Sequence, residues 1–147
     1  TRNPYPKHMM WEDFDVDGRH RQGFYNLRVD KRPVLDPMSR TTYTMDITGN
    51  NVNITAKTVT YEVLETDPYW HSIEMKIKRH YSEAADLQFT VFLDEHLVDM
   101  NRKVTVMVNG RKVFAGKLKP NLQNMAESLA TFGDPCRIYT AAVQVKL

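Results

Sequence analysis

Cysteine is nearly absent. The 147 residues include 1, Cys136, which excludes an internal disulfide framework and any cysteine-built zinc site. It follows Asp134-Pro135 with nothing nearby to lower its pKa, so an inert, half-buried thiol is expected rather than a nucleophile. Glycine is scarce as well, with 6 residues, and none belongs to a G-x-S-x-G elbow, a Walker loop or a G-x-G-x-x-G fingerprint. The usual signs of serine hydrolysis and nucleotide binding are therefore missing. No stretch approaches the roughly 18 uncharged apolar residues of a membrane helix, and no basic segment followed by an apolar one marks a signal peptide. Charge of one sign is also lacking: 20 basic residues stand against 18 acidic ones, for a net charge of +2. Without a dense Lys/Arg block, nucleic acid is not an expected partner. His8, His20, His71 and His80 lie far apart, with no His-x-Glu or His-x-x-x-His spacing, so no zinc or other cofactor is expected.

What the chain does have is alternation. A composition 41% hydrophobic and 26% charged fits one globular domain and rules out disorder. Residues 1–7 carry two prolines that favour an extended, semi-rigid path, so they read as a Pro-rich linker leading into a single domain at 8–147. Such an opening suggests a piece of a longer protein. Period-2 patterning, the mark of strands with one buried face, runs through Tyr25/Leu27/Val29, Tyr43/Met45/Ile47, Val52/Ile54, Leu87/Phe89/Val91/Leu93 and Tyr139/Ala141/Val143/Val145/Leu147. Thr48-Gly49-Asn50-Asn51 tolerates positive φ and predicts a hairpin.

The sharpest local signal is Asn109-Gly110 between Val104-Thr105-Val106-Met107-Val108 and Arg111-Lys112-Val113-Phe114-Ala115. It predicts a type I′ turn with Val108 opposite Arg111, Val106 opposite Val113 and Val104 opposite Ala115. Thr58 to Lys78 is open to two readings. Thr66-Asp67-Pro68-Tyr69 makes a turn, with Ile73, Met75 and Ile77 alternating after it; this hairpin is preferred. Alternatively Asp67-Pro68 opens a helix with Trp70, Ile73, Ile77 and Tyr81 at helical spacing. A later helix is clearer, capped by Asn121, carrying Leu122, Met125, Leu129 and Phe132 on one face, and stopped by Gly133. Eight or nine short strands by this count, with one short helix near the C-terminus, predict an all-β fold. The expected form is an antiparallel β-sandwich of immunoglobulin/fibronectin-like type.

Three constellations are candidates for chemistry. Asp13-Phe14-Asp15-Val16-Asp17-Gly18 resembles the first half of a calcium loop, making Asp13, Asp15 and Asp17 weak metal candidates. The second half fails, because Arg19, Arg21 and Phe24 stand where later ligands belong; a strand ending in an Asp17-Gly18 turn is the simpler account. Asp94-Glu95-His96-Leu97-Val98-Asp99 places carboxylates and an imidazole between strands, where an acid or base could act, although turns collect such residues for local hydrogen bonding. Among the aromatics Trp11, Phe24, Tyr69, Trp70 and Tyr81, the set Trp70, Tyr69 and Trp11 offers a stacking surface for a sugar. Packing within the protein or against a neighbouring domain is the alternative. Asn53-Ile54-Thr55 is a formal glycosylation sequon, but it sits inside a strand, which makes it a poor acceptor.

Taken together, Asn3-Pro4-Tyr5-Pro6-Lys7-His8 with Trp11, Phe24-Tyr25-Asn26-Leu27, the stretch from Phe92 to Met100, and Val104 through Phe114 resemble a known module. It is the C-terminal β-sandwich accessory domain of secreted bacterial α/β-hydrolases, of the esterase or peptidase type found chiefly in Bacteroidetes-type genomes. The resemblance spans most of the chain, with 58–86 longer than the pattern, and its motifs are structural. It implies that any catalytic serine lies in an upstream α/β-hydrolase domain, and that this chain is non-catalytic and acts by docking on that domain or shaping its cleft. It also implies a secreted or periplasmic location. A carbohydrate-binding module with polysaccharide as partner is the alternative function.

Overall fold

Two turns frame the molecule. In a computed structural model of the chain, Gly49 at φ 58° closes one long hairpin, and Asn109 at φ 50° with Gly110 at φ 79° closes another. Positive φ at both central residues is the requirement of a type I′ turn, and Asn and Gly meet it at least cost. The structure describes residues 5–13, 15–16, 19–20, 22–33, 37–64, 76–135 and 138–147, with the backbone alone at 15, 16, 19, 20 and 76.

In chain order the strands are β1 (His8–Asp13), β2 (Asp15–Val16), β3 (Arg19–His20), β4 (Gly23–Phe24), β5 (Leu27–Lys31), β6 (Ser39–Thr48), β7 (Asn51–Leu64), β8 (Lys76–Glu83), β9 (Gln88–Leu93), β10 (Val104–Val108) and β11 (Arg111–Gly116). Helix α1 (Leu122–Phe132) and strand β12 (Ala141–Lys146) complete the order. The larger sheet runs β1-β6-β7-β10-β11, with β8 also on β7; the smaller runs β12-β9-β5-β4, and β2 pairs with β3. The fold is an all-β sandwich with one short helix, as the alternation implies. Tyr43, Met45, Ile47, Val52, Ile54, Val104, Val106 and Val108 of the larger sheet share one buried core with Leu27, Val29, Phe89, Val91 and Leu93 of the smaller. The Tyr43 and Phe89 rings meet edge to face at 5.8 Å. Each such fully buried side chain contributes roughly 1.5–3 kcal/mol.

Three details depart from expectation. First, β10 runs parallel to β7, although every other pairing is antiparallel. The chain reaches β10 from the opposite sheet and enters beside the β6–β7 turn, where the Thr105 N–H donates to the Asn50 carbonyl at 2.9 Å, so it runs in the same direction as β7. Second, the β10–β11 register slips past Met107, placing Val106 opposite Phe114 and Val104 opposite Gly116. A bulge on β11 absorbs the extra residue; as an edge strand it has no second neighbour among the described residues to hold it in step. Third, the helix turns much of its expected buried face outward, with Leu122 81% and Leu129 41% exposed. Its one buried residue is Ser128, whose Oγ accepts from the Tyr139 N–H and donates to the Met125 carbonyl, both at 3.0 Å. Phe132 still packs inward, meeting Phe92 at 5.5 Å. A Cβ at Gly23 would come within 2.8 Å of that ring, so the glycine lets the helix sit this close. The caps are as expected: Asn121 Oδ1 accepts from the Asn124 N–H, and the Gly133 N–H donates to Leu129.

β7 organises the larger sheet. One edge pairs with β6 at 51–60; the other is divided between β10 at 51–54 and β8 at 57–64. Between them the Asn109 side chain completes the ladder, accepting the Ala56 N–H at 2.9 Å and donating to its carbonyl at 3.2 Å. The antiparallel β7–β8 pair matches the hairpin reading, while its turn lies outside the described residues. Asn109→Gly keeps the turn's backbone but removes the amide that Ala56 uses, so a loss of about 1–3 kcal/mol is expected in urea melts. Unchanged stability would show that solvent replaces the amide.

Candidate functional site

The acidic turn after β9 is built from Asp94. Its carbonyl accepts the N–H groups of Leu97 and Val98, each at 3.1 Å, and the carboxylate Oδ1 accepts the His96 N–H at 2.9 Å. The other oxygen lies 3.1 Å from His96 Nδ1, which ties the ring to the carboxylate. Leu97 and Val98 are buried in the core, so the turn is anchored from below. Tyr5 stacks on the His96 ring at 4.0 Å with an interplanar angle of 1°, and meets Tyr139 edge to face. Tyr5, drawn into the linker by sequence, thus rests on the sandwich. A cavity of about 560 Å³ opens beside this turn, lined by Lys7, Asn50, His96, Asp99, Arg102 and Lys103 among others. Asn50 closes its far side: its Oδ1 accepts the Asp99 N–H, and its Nδ2 donates to the Asp99 carbonyl, both at 2.8 Å.

Chemically, this is an oriented imidazole with no serine, threonine or cysteine among the described residues of the lining. The buried carboxylate that orients it also holds the turn. Tyr5, Asn50 and Asn109 were not singled out as site or joint residues; Asn at turn positions was the available signal.

Of the three aspartates, Asp13 is the one whose side chain is described. Asp13 is buried, and its carboxylate lies 3.5 Å from the Arg32 guanidinium. The backbone of Asp15 pairs with His20 and that of Val16 with Arg19, and the expected Asp17-Gly18 turn lies outside the described residues. The side chain of Asp15, and Asp17 itself, fall outside the described residues, as do Cys136 and His71. Among the described residues, no group of three or more His, Cys, Asp or Glu is placed to hold a metal. His8 pairs with Asp46 at 2.6 Å and His80 with Glu62 at 2.7 Å, each across neighbouring strands. Beside Asp13, the Tyr43 hydroxyl and Thr41 Oγ1 are buried without hydrogen-bond partners among the described residues. Burial, with the Asp13 carboxylate adding to it, raises the Tyr43 pKa well above the ordinary tyrosine value.

Of the proposed sugar-stacking rings, Trp11 belongs to the core. It is 7% exposed, stacked on Phe24 at 5.2 Å and inclined to Tyr43 at 5.5 Å, so its ring offers no open platform. The reason is strand parity: Met9, Trp11 and Asp13 face inward on β1 while Met10 faces out. Tyr69 and Trp70 lie outside the described residues. Among the described residues the open ring is Tyr81, 58% exposed beside a groove of about 380 Å³ lined by Met10, Thr42, Thr44, Thr55 and Lys57. Next to it on the same face, the Tyr61 hydroxyl donates to Glu12, while the guanidinium groups of Arg40 and Arg79 lie 5.8 and 5.6 Å from the Tyr61 ring centre. The bond to Glu12 is the main reason the Tyr61 pKa is raised.

Comparison with protein-family models, curated proteins and solved structures found no match for the chain.

Two predictions separate structure from chemistry here. Asp94→Ala leaves the turn N–H of His96 unbonded and is expected to cost about 1–3 kcal/mol, whereas His96→Ala, on a half-exposed side chain, is expected to cost less. Thermal melts that rank the two the other way would contradict a structural role for the carboxylate. Tyr43→Phe removes an orphaned hydroxyl, and a gain of about 1 kcal/mol is expected. Because the folded pKa of Tyr43 is raised, its contribution to stability is intact below about pH 10 and falls as pH rises above that value. The phenylalanine variant should lose stability less steeply over that alkaline range, as denaturant titration at several pH values would measure.

Proposed function

We propose that this chain is a non-catalytic accessory β-sandwich of a larger exported hydrolase, working by docking on a catalytic domain or shaping one wall of its cleft. The observation that carries this reading is the inverted helix. Its polar Ser128 is buried against the smaller sheet, while Leu122 and Leu129, seven residues apart and so on one face, point to solvent. Exposed leucines on one stripe of a short helix suit burial against a neighbouring domain. Tyr5, stacked on His96, would fix where a preceding domain joins the sandwich. The likeness to hydrolase accessory domains described above supports the same reading, and the secreted or periplasmic location comes with it. A second reading has one observation in its favour: Tyr81 beside a threonine-lined groove suits a sugar ring, which would make polysaccharide the partner.

In the isolated domain, Leu122→Glu is expected to change stability by less than about 0.5 kcal/mol, because the side chain is already solvated. In a polypeptide that includes the catalytic domain, the same change should uncouple the two unfolding transitions in calorimetry. Coupling untouched by that change would overturn docking through the helix. Substrate turnover by the isolated domain, lost on replacement of a named side chain, would overturn the non-catalytic reading. For the polysaccharide reading, retention on an affinity gel should be abolished by Tyr81→Ala.

A further inference from the structure

Among the described residues β8 pairs with β7 alone, in unbroken register from Lys57 opposite Glu83 to Leu64 opposite Lys76. Among the described residues its far edge is open. Antiparallel ladders alternate between bonded and non-bonded pairs, and the Ala84 N–H donates to the Ala56 carbonyl at 3.2 Å. Counting back by twos, residues 82, 80, 78 and 76 turn their backbone groups toward β7. Ile77, Arg79, Tyr81 and Glu83 turn theirs outward, each presenting an N–H and a C=O. The sheets' other edges are better guarded: β11 is bulged, β12 has the helix alongside, with the Asn121 N–H donating to the Thr140 carbonyl at 3.0 Å, and β4 is two residues long. β1 is shorter than β8 and leads directly from the segment held by Tyr5.

A long, flat, exposed edge is a template for strand addition. Its side chains select what can pair. Ile77 and Tyr81 are exposed apolar groups on the outer face, and Val63, opposite Ile77, extends that surface. The strand carries Lys76, Lys78 and Arg79 against a single Glu83. Such charges on an edge oppose neutral or basic strands and a second copy of this one, and favour an acidic strand.

We propose that β8 receives an extended acidic segment of a partner protein by strand addition. The outward backbone groups of Ile77, Arg79, Tyr81 and Glu83 bind its main chain, and Lys78 and Arg79 select its charge. This does not depend on the accessory-domain reading. The test titrates the full chain with a capped peptide of alternating valine and glutamate, alongside a valine–lysine control, and follows amide hydrogen exchange residue by residue. The glutamate peptide should slow exchange at Ile77, Arg79 and Tyr81, and its binding should weaken with salt. Replacing Lys78 and Arg79 by serine should weaken binding by up to about fivefold for each charge removed. Arg79→Pro removes an outward N–H without breaking the β7–β8 ladder and should abolish protection. If that variant does not fold by circular dichroism, the serine pair decides. No protection by the glutamate peptide, equal binding of the lysine peptide, or binding unchanged in the folded proline or serine variants overturns the proposal. So does self-association that protects the same amides without peptide.

Discussion

Every backbone N–H and C=O of a buried strand needs a partner, and for β7, 14 residues long, that requirement organises the larger sheet. β6 pairs with one edge over 51–60, beyond which the Tyr61 N–H donates to the Met38 carbonyl. The other edge is assembled from three sources: the parallel strand β10, a single asparagine amide, and the antiparallel strand β8. Because β7 outruns the smaller sheet, its last residues and β8 leave the core and are solvated, as the exposure of Val63, Leu64 and Ile77 shows. The parallel pair, the Asn109 joint and the open edge of β8 thus share one cause.

Side-chain amides recur where this chain needs a backbone it does not have. Asn109 stands in for a strand residue beside Ala56, Asn50 ties the loop at Asp99 and Lys103 to the β6–β7 turn, and buried Asn26 donates to the Phe92 carbonyl, joining a turn to the centre of the smaller sheet. An amide carries donor and acceptor in the same plane as a peptide group, so it completes a ladder without the like-charge costs of an ionised side chain. The Asp94 carboxylate works the same way toward its own turn. The Asp94 carboxylate, which looks reactive in a linear reading, thus also holds a loop, and the open surfaces among the described residues include the Tyr81 groove, the β8 edge and the helix's leucines.

Elements with strong local signals were legible. Asn109-Gly110, Gly49-Asn50, the Asn121 cap and the Gly133 stop came out as read, since each depends on conformational preferences within a few residues. Alternation likewise located the inward faces of β5, β6, β9 and β12. The helix face was only half legible: spacing put Leu122 and Leu129 inward, but space against the smaller sheet and the Ser128 bonds to Tyr139 and Met125 decided the rotation. Among the candidate site residues, Asp94 and His96 were placed together correctly by adjacency. The stacking of Tyr5 on His96 joins residues about 90 positions apart, a distance over which no sequence periodicity carries information.

What the amino-acid order determined by itself was the class of fold, the positions of its tight turns and most of its core, because these follow from φ preferences and from which side chains leave water. Tertiary structure alone decided that Trp11 is core rather than platform, that Asp13 lies beside Arg32, and that β10 runs parallel to β7. Those outcomes depend on which distant strand arrives alongside and in which direction, and on the competition of many contacts for the same space. Neither is written in any local stretch of residues.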